Sequence, residues 1–596
     1  MAWLIVKEFT GQKNTTNNIE ILNDNILYTD PNEVSNLFNS FFKEAPNKIL
    51  NQIKSNNANN NFHSYNERDF NINNSMGLIP FTEQEILNIV KIKIKNKWSS
   101  GPDDIPAILL KESIQCIITP LTHLINASFE TGEFPNLLKT SKVIPLHKKN
   151  NKNDLENYRP LSLNSVFSKI FEYCMLDRLL KYLERNNILC QQQHGFVSGK
   201  STTTAVFDCI SQIVDCLEAG ECPAGIFCDL SRAFDCVQHS ILLERMFKYG
   251  IRGIILDWFK SFLGDRQQYV QIGYKHGNTF VQVQSEVCDV RVGVPQGSIL
   301  GPVLFLLFVN PLPQNIKYNL TMYADDTSAL VSGNSNRIVE EEANHALASL
   351  DLWFRNNSLF LNTHKTYYMR FSTYQNHNNL DISVGCNDVS LTEKNSIKFL
   401  GLEIDKNLRW NSHCSQLATK ISKYCFLIKN LKTVLDESQL VSFYYAQIYS
   451  RLLYGIRFWG LSPHAHEVFL CQKRIVRAMV GAGRLDSCKP WFSKLKILPL
   501  ICIFILDVCT FVHENRHKNL KHSDIHSYDT RNKNQMYPNS HRLNITKSLP
   551  QNIGIKIYNH LPIDIKESES LKCFKGKLKC FLSINCFYTL DEFLDF

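Results

Sequence analysis

Three carboxylates carry the first chemical signal in this chain. Asp325 and Asp326 stand side by side in Met322-Tyr323-Ala324-Asp325-Asp326-Thr327, between short apolar runs at 318–322 and 328–331. Two extended segments joined by Asp-Asp predict a β-hairpin with both carboxylates at its tip. Adjacent carboxylates repel each other and add nothing to a core. A hard divalent cation relieves that repulsion, because Mg²⁺ is bound through one or two carboxylates together with substrate phosphates. A solvated Asp-Asp turn is the commoner meaning of such a dipeptide, so a further ligand is needed. It comes upstream, where Ala224-Gly-Ile-Phe-Cys228 reads as a short buried strand ending at Asp229. By itself Asp229 would be read as a helix cap. Neighbours on one strand point to opposite faces, so a shared metal needs carboxylates from separate strands. Asp229 and Asp325 are therefore the expected bridging ligands, with Asp326 flanking them. Two ions held there would lower the pKa of an attacking hydroxyl and steady a departing pyrophosphate.

The elements that must position these groups can be read on either side. Ser141-Lys-Val-Ile-Pro-Leu-His147 predicts a strand running into Lys148, and Asn157-Tyr-Arg159-Pro presents an arginine beside a turn. Lysine and arginine at the ends of facing strands make a triphosphate clamp, with plain surface charge as the alternative. Gly195-Phe-Val-Ser-Gly199-Lys200-Ser201 has three residues between its glycines where a P-loop needs four. It is read as the lead into a helix starting near Ser201. Gly293-Val-Pro-Gln296-Gly297-Ser298 predicts a tight loop opening a very apolar helix from Ile299 to Val309. Lys365 precedes a strand, and Ile397-Lys-Phe-Leu400 forms another short strand into a turn. From Trp410 to Val480 helical apolar faces are punctuated by Lys420, Lys423, Lys429, Lys432, Arg451, Lys473, Arg474 and Arg477.

Upstream, Asp30-Pro31 caps a helix carrying Val34, Leu37, Phe38, Phe41 and Phe42 at helical spacing. The Asn-rich stretch 51–75 reads as a disordered linker. Thr82 and Glu85 form a capping box for the next helix. A last helical stretch is expected from Leu571 to Leu582, after a His-, Asn-, Lys- and Arg-rich loop at 513–548.

The 596 residues leave room for several subdomains, and the net charge of +9 suits a nucleic-acid partner without demanding one. The 19 cysteines are scattered with no CxxC pair, which favours reduced thiols over a disulfide framework, and no cysteine–histidine cluster has the spacing that would support a zinc knuckle. Lys7 comes too soon for a secretory signal, and the longest apolar run, Leu498 to Val512, is interrupted by Asp507 and too short to span a bilayer. These features predict a soluble protein of the cytoplasm or nucleus, with no membrane partner.

The blocks follow one another in the order of a known family. Trp98-Ser-Ser-Gly-Pro-Asp-Asp-Ile-Pro106, Asn157-Tyr-Arg-Pro-Leu-Ser162, Gln193-His-Gly-Phe196, Asp229-Leu-Ser-Arg-Ala-Phe-Asp235, Gly293-Val-Pro-Gln-Gly-Ser298, Tyr323-Ala-Asp-Asp326, Asn362-Thr-His-Lys-Thr366 and Phe399-Leu-Gly401 resemble a non-LTR retrotransposon (LINE, jockey-like) reverse transcriptase. Tyr528-Asp-Thr-Arg531 and Tyr558-Asn-His-Leu-Pro562 resemble the ends of such elements. The resemblance implies an α+β right-hand polymerase with an antiparallel palm sheet, a helical thumb and a C-terminal extension. Its expected divisions are 1–75 as N-terminal extension and linker, 76–406 as fingers and palm, 407–485 as thumb and 486–596 as C-terminal region. It implies an RNA-directed DNA polymerase that uses two Mg²⁺ or Mn²⁺ ions, an RNA template, a DNA primer and dNTPs. On matching positions Asp229, Asp325 and Asp326 become the metal triad and Phe234 lies under the incoming sugar. Gln296 and Gly297, beside Tyr323, line the nucleotide pocket. Lys148 and Arg159 contact the triphosphate, and Lys365 is a candidate acid for the leaving pyrophosphate. No room for an endonuclease is expected before residue 76, so the chain reads as a fragment, a truncated copy or a separately encoded polymerase, with a separate endonuclease as one candidate partner. The runner-up readings are a catalytically idle or domesticated nucleic-acid-binding remnant, and a viral RNA polymerase, which Phe234 disfavours.

Overall fold

The computed structural model describes residues 18–57, 72–148, 150–277, 279–375, 382–386, 389–525 and 533–596. Helices and sheets are mixed throughout. The central sheet has the order Thr392–Glu393, Tyr367–Arg370, Cys222–Cys228, Asp326–Gly333, Asn319–Tyr323. Its four longer strands are antiparallel, and only the short edge strand Thr392–Glu393 joins in parallel. Cys222–Cys228 lies in the middle, which explains its almost unbroken apolar sequence. Alternation along this strand divides two cores. Ala224, Ile226 and Cys228 join Phe305, Phe308, Trp353 and Phe354. Phe227, together with Leu330 and Met369, faces Val206, Ile210 and the helices beyond residue 410.

A second sheet runs Tyr158–Leu163, Thr140–His147, Arg266–His276, Thr279–Gln284, with Cys288–Val290 on the edge of Arg266–His276. The helix Pro31–Asn57 covers it, burying Val34, Phe38 and Phe42 against Val143, Val270 and Ile272. That helix runs into the stretch expected to be a linker. Residues 58–71 of that stretch lie outside the described residues, as does Tyr528-Asp-Thr-Arg531. Order is also present before residue 76: the Ile72 and Met76 amides donate to Lys248 and Gly250 carbonyls at 3.1 and 2.9 Å. The capping box of Thr82 and Glu85 forms as expected.

Beyond residue 410, helices Asn411–Leu431, Ala465–Val480, Leu500–Glu514, Pro550–His560 and Leu571–Asn585 bury their apolar faces in one continuous core. Among the described residues one core runs across position 485 without a break. The final helical stretch reaches Asn585, and a short helix, Leu590–Leu594, follows it. The apolar run at 498–512 is the buried helix Leu500–Glu514. Among the described residues one helix, Ala107–Thr131, is long and apolar enough to cross a membrane. Here it buries Leu110, Ile114, Ile118, Leu121, Ile125 and Phe129 in the first core.

Candidate active site

The register of the central sheet brings the three aspartates together. Thr327 pairs with Cys228, so Asp326 comes opposite Asp229, the residue just past its strand. The hairpin turn differs from the expected one. Asp326 pairs with Tyr323, which leaves Ala324 and Asp325 as the two turn residues, with Ala324 at φ 56°. Asp326 therefore opens the second strand and does not sit at the tip. Two-residue hairpins need a left-handed residue, and pairing on both sides forces that conformation on Ala324.

Asp229 is held from beneath. Its amide donates to the Thr366 hydroxyl at 3.3 Å, and its carbonyl accepts from the Asn362 amide at 2.8 Å. Thr366 is fully buried, so the 360–366 segment is latched under the strand end. Lys365, on the same segment, is exposed and lines a pocket of about 290 Å³ with Asp229, Asp326, Lys394 and Lys398.

Burial and then the charge of Asp229 raise the Asp325 carboxyl above its ordinary range. Asp326 is pushed up to about 6, by desolvation first and then by the charges of Asp325 and Asp229. Lys148 and Arg159 pull both values back, so their charges reach the site. They stand at the ends of paired strands, with Leu146 opposite Arg159 and the Lys148 amide donating to the Asn157 carbonyl at 2.8 Å. Among the described residues no three His, Cys, Asp or Glu side chains close on one point as a ready metal cage. The donors nevertheless fit a hard cation: they are carboxylate oxygens whose mutual repulsion marks a shortage of positive charge.

Phe234 stacks on Phe305, with ring centroids 4.4 Å apart and an interplanar angle of 25°. Its carbonyl accepts from the Val294 amide at 2.9 Å, which ties it to the loop carrying Gln296. The Gln296 side-chain amide donates to Asp235 at 2.8 Å, and its carbonyl accepts from the Ser162 amide at 2.9 Å. Burial raises the Asp235 carboxyl, and the Gln296 bond works against that. Gly297 has φ 130°, and a Cβ there would strike the Ser162 carbonyl, so glycine is required. Gln296, Asp235 and Ser162 line a separate pocket of about 420 Å³, with Pro160, Arg266 and Arg291, whose lining includes neither the aspartate triad nor Phe234 and Gly297.

Sequence reasoning gave no role to two residues that build this site. Glu172 is fully buried, and its carboxylate accepts the Ile299 and Leu300 amides at 2.6 and 3.1 Å. It thereby ends the loop after Gln296, and the regular helix begins at Gly301, later than expected. A glutamate among apolar Ile170, Phe171, Cys174 and Met175 was the available signal. Gln193 accepts the Ala324 amide at 2.9 Å; its place in the Gln193-His-Gly-Phe196 block was the available signal, though it gave no role.

Three carboxylates gathered at one end of an antiparallel sheet, within reach of the charges of Lys148 and Arg159 on a neighbouring sheet, make up the candidate site. The family of reverse transcriptases (RNA-dependent DNA polymerases) matches residues 146–404, which hold every residue discussed above. The chain is 25% identical over 71% of its length to the RNA-directed DNA polymerase from mobile element jockey of Drosophila melanogaster. It is 27% identical over 68% to the probable RNA-directed DNA polymerase from transposon BS, and 25% over 70% to that from transposon X-element, both of the same species. Each match covers 45% of the relative, so the chain spans about half the length of these proteins. Residues 146–404 thus match the reverse transcriptase family, and about 70% of the chain is similar to polymerases of jockey and related mobile elements.

Proposed function

We propose that the chain is an RNA-directed DNA polymerase that extends a primer 3′-hydroxyl along an RNA template. The observation that carries this reading is the register that sets Asp229 beside Asp325 and Asp326, the last two raised by burial and then by neighbouring carboxylate charge. In this reading the central sheet is the palm, and the sheet holding Lys148 and Arg159 belongs to the fingers, both within 76–406. Residues 407–485 are the thumb, and 486–596 are a C-terminal region packed on it. Asp229, Asp325 and Asp326 would hold two Mg²⁺ or Mn²⁺ ions. When bound, such ions lower the pKa of the attacking hydroxyl and offset charge on the departing pyrophosphate.

The chain's own residues do the rest. Lys148 and Arg159 hold the triphosphate, Arg159 by its planar fork. Gln296, Gly297 and Tyr323 border the nucleotide, with Gln296 held in place by Asp235. Phe234 lies against the sugar. Lys365 stands at the rim of the aspartate pocket and can give its proton to the leaving pyrophosphate. The basic helices after residue 410 hold the template–primer duplex by its phosphates.

Primer extension by the purified chain on an RNA template tests this. Wild type is expected to extend with Mg²⁺ or Mn²⁺, and Asp325→Asn to lose about 10²-fold or more in rate. Extension by Asp325→Asn at the wild-type rate would show the site to be elsewhere. A wild-type chain that binds template–primer without extending it would favour the idle nucleic-acid-binding reading.

A further inference from the structure

We infer that Gln193 is a positioning residue that sets the Ala324-Asp325 turn for cation binding; the inference rests on the polymerase reading above. The segment at 190–195 lies alongside the hairpin. Gln193 forms a parallel bridge with Met322, the Met322 amide donates to the Gln192 carbonyl at 2.9 Å, and the His194 amide donates to the Met322 carbonyl at 2.8 Å. The Gln193 side chain, 2% exposed, then reaches the turn itself. Its Oε1 accepts two amides, from Gly195 at 2.8 Å and from Ala324 at 2.9 Å. Two donors converging on one atom fix which end of the amide is oxygen.

The Ala324 amide is the one that most needs such a partner. It belongs to a turn residue at φ 56° that carries a Cβ, a conformation that persists only where surroundings over-determine it. Gly195 shows how tight the fit is: a Cβ there would lie 2.5 Å from the Ala324 nitrogen and 3.1 Å from the Tyr323 carbonyl carbon. The Gln193 Nε2 is buried with no partner among the described residues. That is the price of committing Oε1 to the turn.

The bracket continues into the Gly199-Lys200-Ser201 stretch, which has no phosphate-loop spacing. Lys200 Nζ donates to the Gln193 carbonyl at 2.9 Å and to the Gln191 carbonyl. His194 Nδ1 meets the Thr204 hydroxyl at 2.9 Å, and Thr204 lies in the first turn of helix Thr202–Ala219. A rigid helix is thus linked through Lys200, His194 and Gln193 to the turn that carries Asp325. Groups one step behind a metal ligand fix where its oxygens stand, and their loss weakens the metal more than the fold.

Two variants attack the contact from opposite sides: Gln193→Met removes the acceptor at equal length, and Gly195→Ala pushes on the Ala324 nitrogen. The full chain without nucleic acid is titrated with Mn²⁺, following the rise in melting temperature, and template–primer affinity is measured separately. Both variants are expected to need about ten-fold or more Mn²⁺ for the half-maximal rise, with template–primer affinity unchanged within about twofold. Gln193→Glu keeps an accepting oxygen and is expected to stay within about threefold of wild type, so it reports on the acceptor even if Gln193→Met does not fold. A wild-type Mn²⁺ midpoint in Gly195→Ala, or a Gln193→Glu midpoint raised as far as the ten-fold expected of Met, would overturn the inference. A wild-type chain with no Mn²⁺ response would instead overturn the reading of the aspartates as a metal site.

Discussion

Replacing Phe234 by valine separates a sugar-selecting ring from a piece of core. The ring lies on Phe305 at 4.4 Å and is partly buried, so its removal has a structural cost whichever role it plays. The lost stack is worth about 0.5–1.5 kcal/mol, and the apolar area lost from ring to isopropyl about another 1 kcal/mol. A drop of a few degrees in melting temperature is therefore expected even if Phe234 meets the nucleotide. The discriminating quantity is the ratio of the two incorporation rates. A 2′-hydroxyl pressed on the ring loses its hydration without gaining a partner, a penalty of about 1–3 kcal/mol. Valine should relieve most of it and raise kcat/KM for ribonucleotides, relative to deoxynucleotides, by about ten-fold. The assay is single-nucleotide addition on a primed RNA template with matched dNTP and rNTP, beside a melting curve of the same preparation. If both rates fall together and their ratio stays within about twofold, the ring is only a packing partner of Phe305 and the sugar-selection reasoning is wrong.

Two further outcomes can be checked directly. Asp326 is pushed up to about 6, so the folded chain keeps a proton that the unfolded chain has already lost above its ordinary value. Without metal, this contribution to stability is full below the unfolded value near 4 and drains away as pH rises through about 6. Asp325 and Asp235, raised by burial, act in the same direction. Melting temperature in chelator should thus fall between pH 4.5 and 7, and Mg²⁺ or Asp326→Asn should flatten the fall; identical slopes in all three would refute it. Template–primer affinity should decline steeply with salt, and replacing exposed Lys420 or Lys423 by alanine should lower the log–log slope by about 1 each. A flat salt dependence would reduce the helices after residue 410 to packing elements with solvated lysines.

Much of the site was legible because it is written in residues close along the chain. The Asp-Asp pair between apolar runs, the strand before Asp229, the capping box at Thr82 and the Gly297 turn are all local signals, and each element formed near its expected place. Local signals stop at the partner. Which two residues make the hairpin turn depends on Asp326 pairing with Tyr323, and this register is set jointly by the hairpin and by Cys222–Cys228. A shift of one residue would turn every side chain of the strand to the other core. The same holds for Glu172 under the loop after Gln296, and for helix Pro31–Asn57 against a sheet more than 80 residues downstream. Gln193 is the plainest case. As a sequence position it is a polar residue before His-Gly, and its function arises only when the fold lays it against Ala324, 131 residues away. Residue type and spacing determine which groups can do chemistry, because side-chain chemistry and strand or helix period are properties of short segments. Where those groups stand is decided by long-range packing, in which one amide bonds to whatever the completed core presents to it.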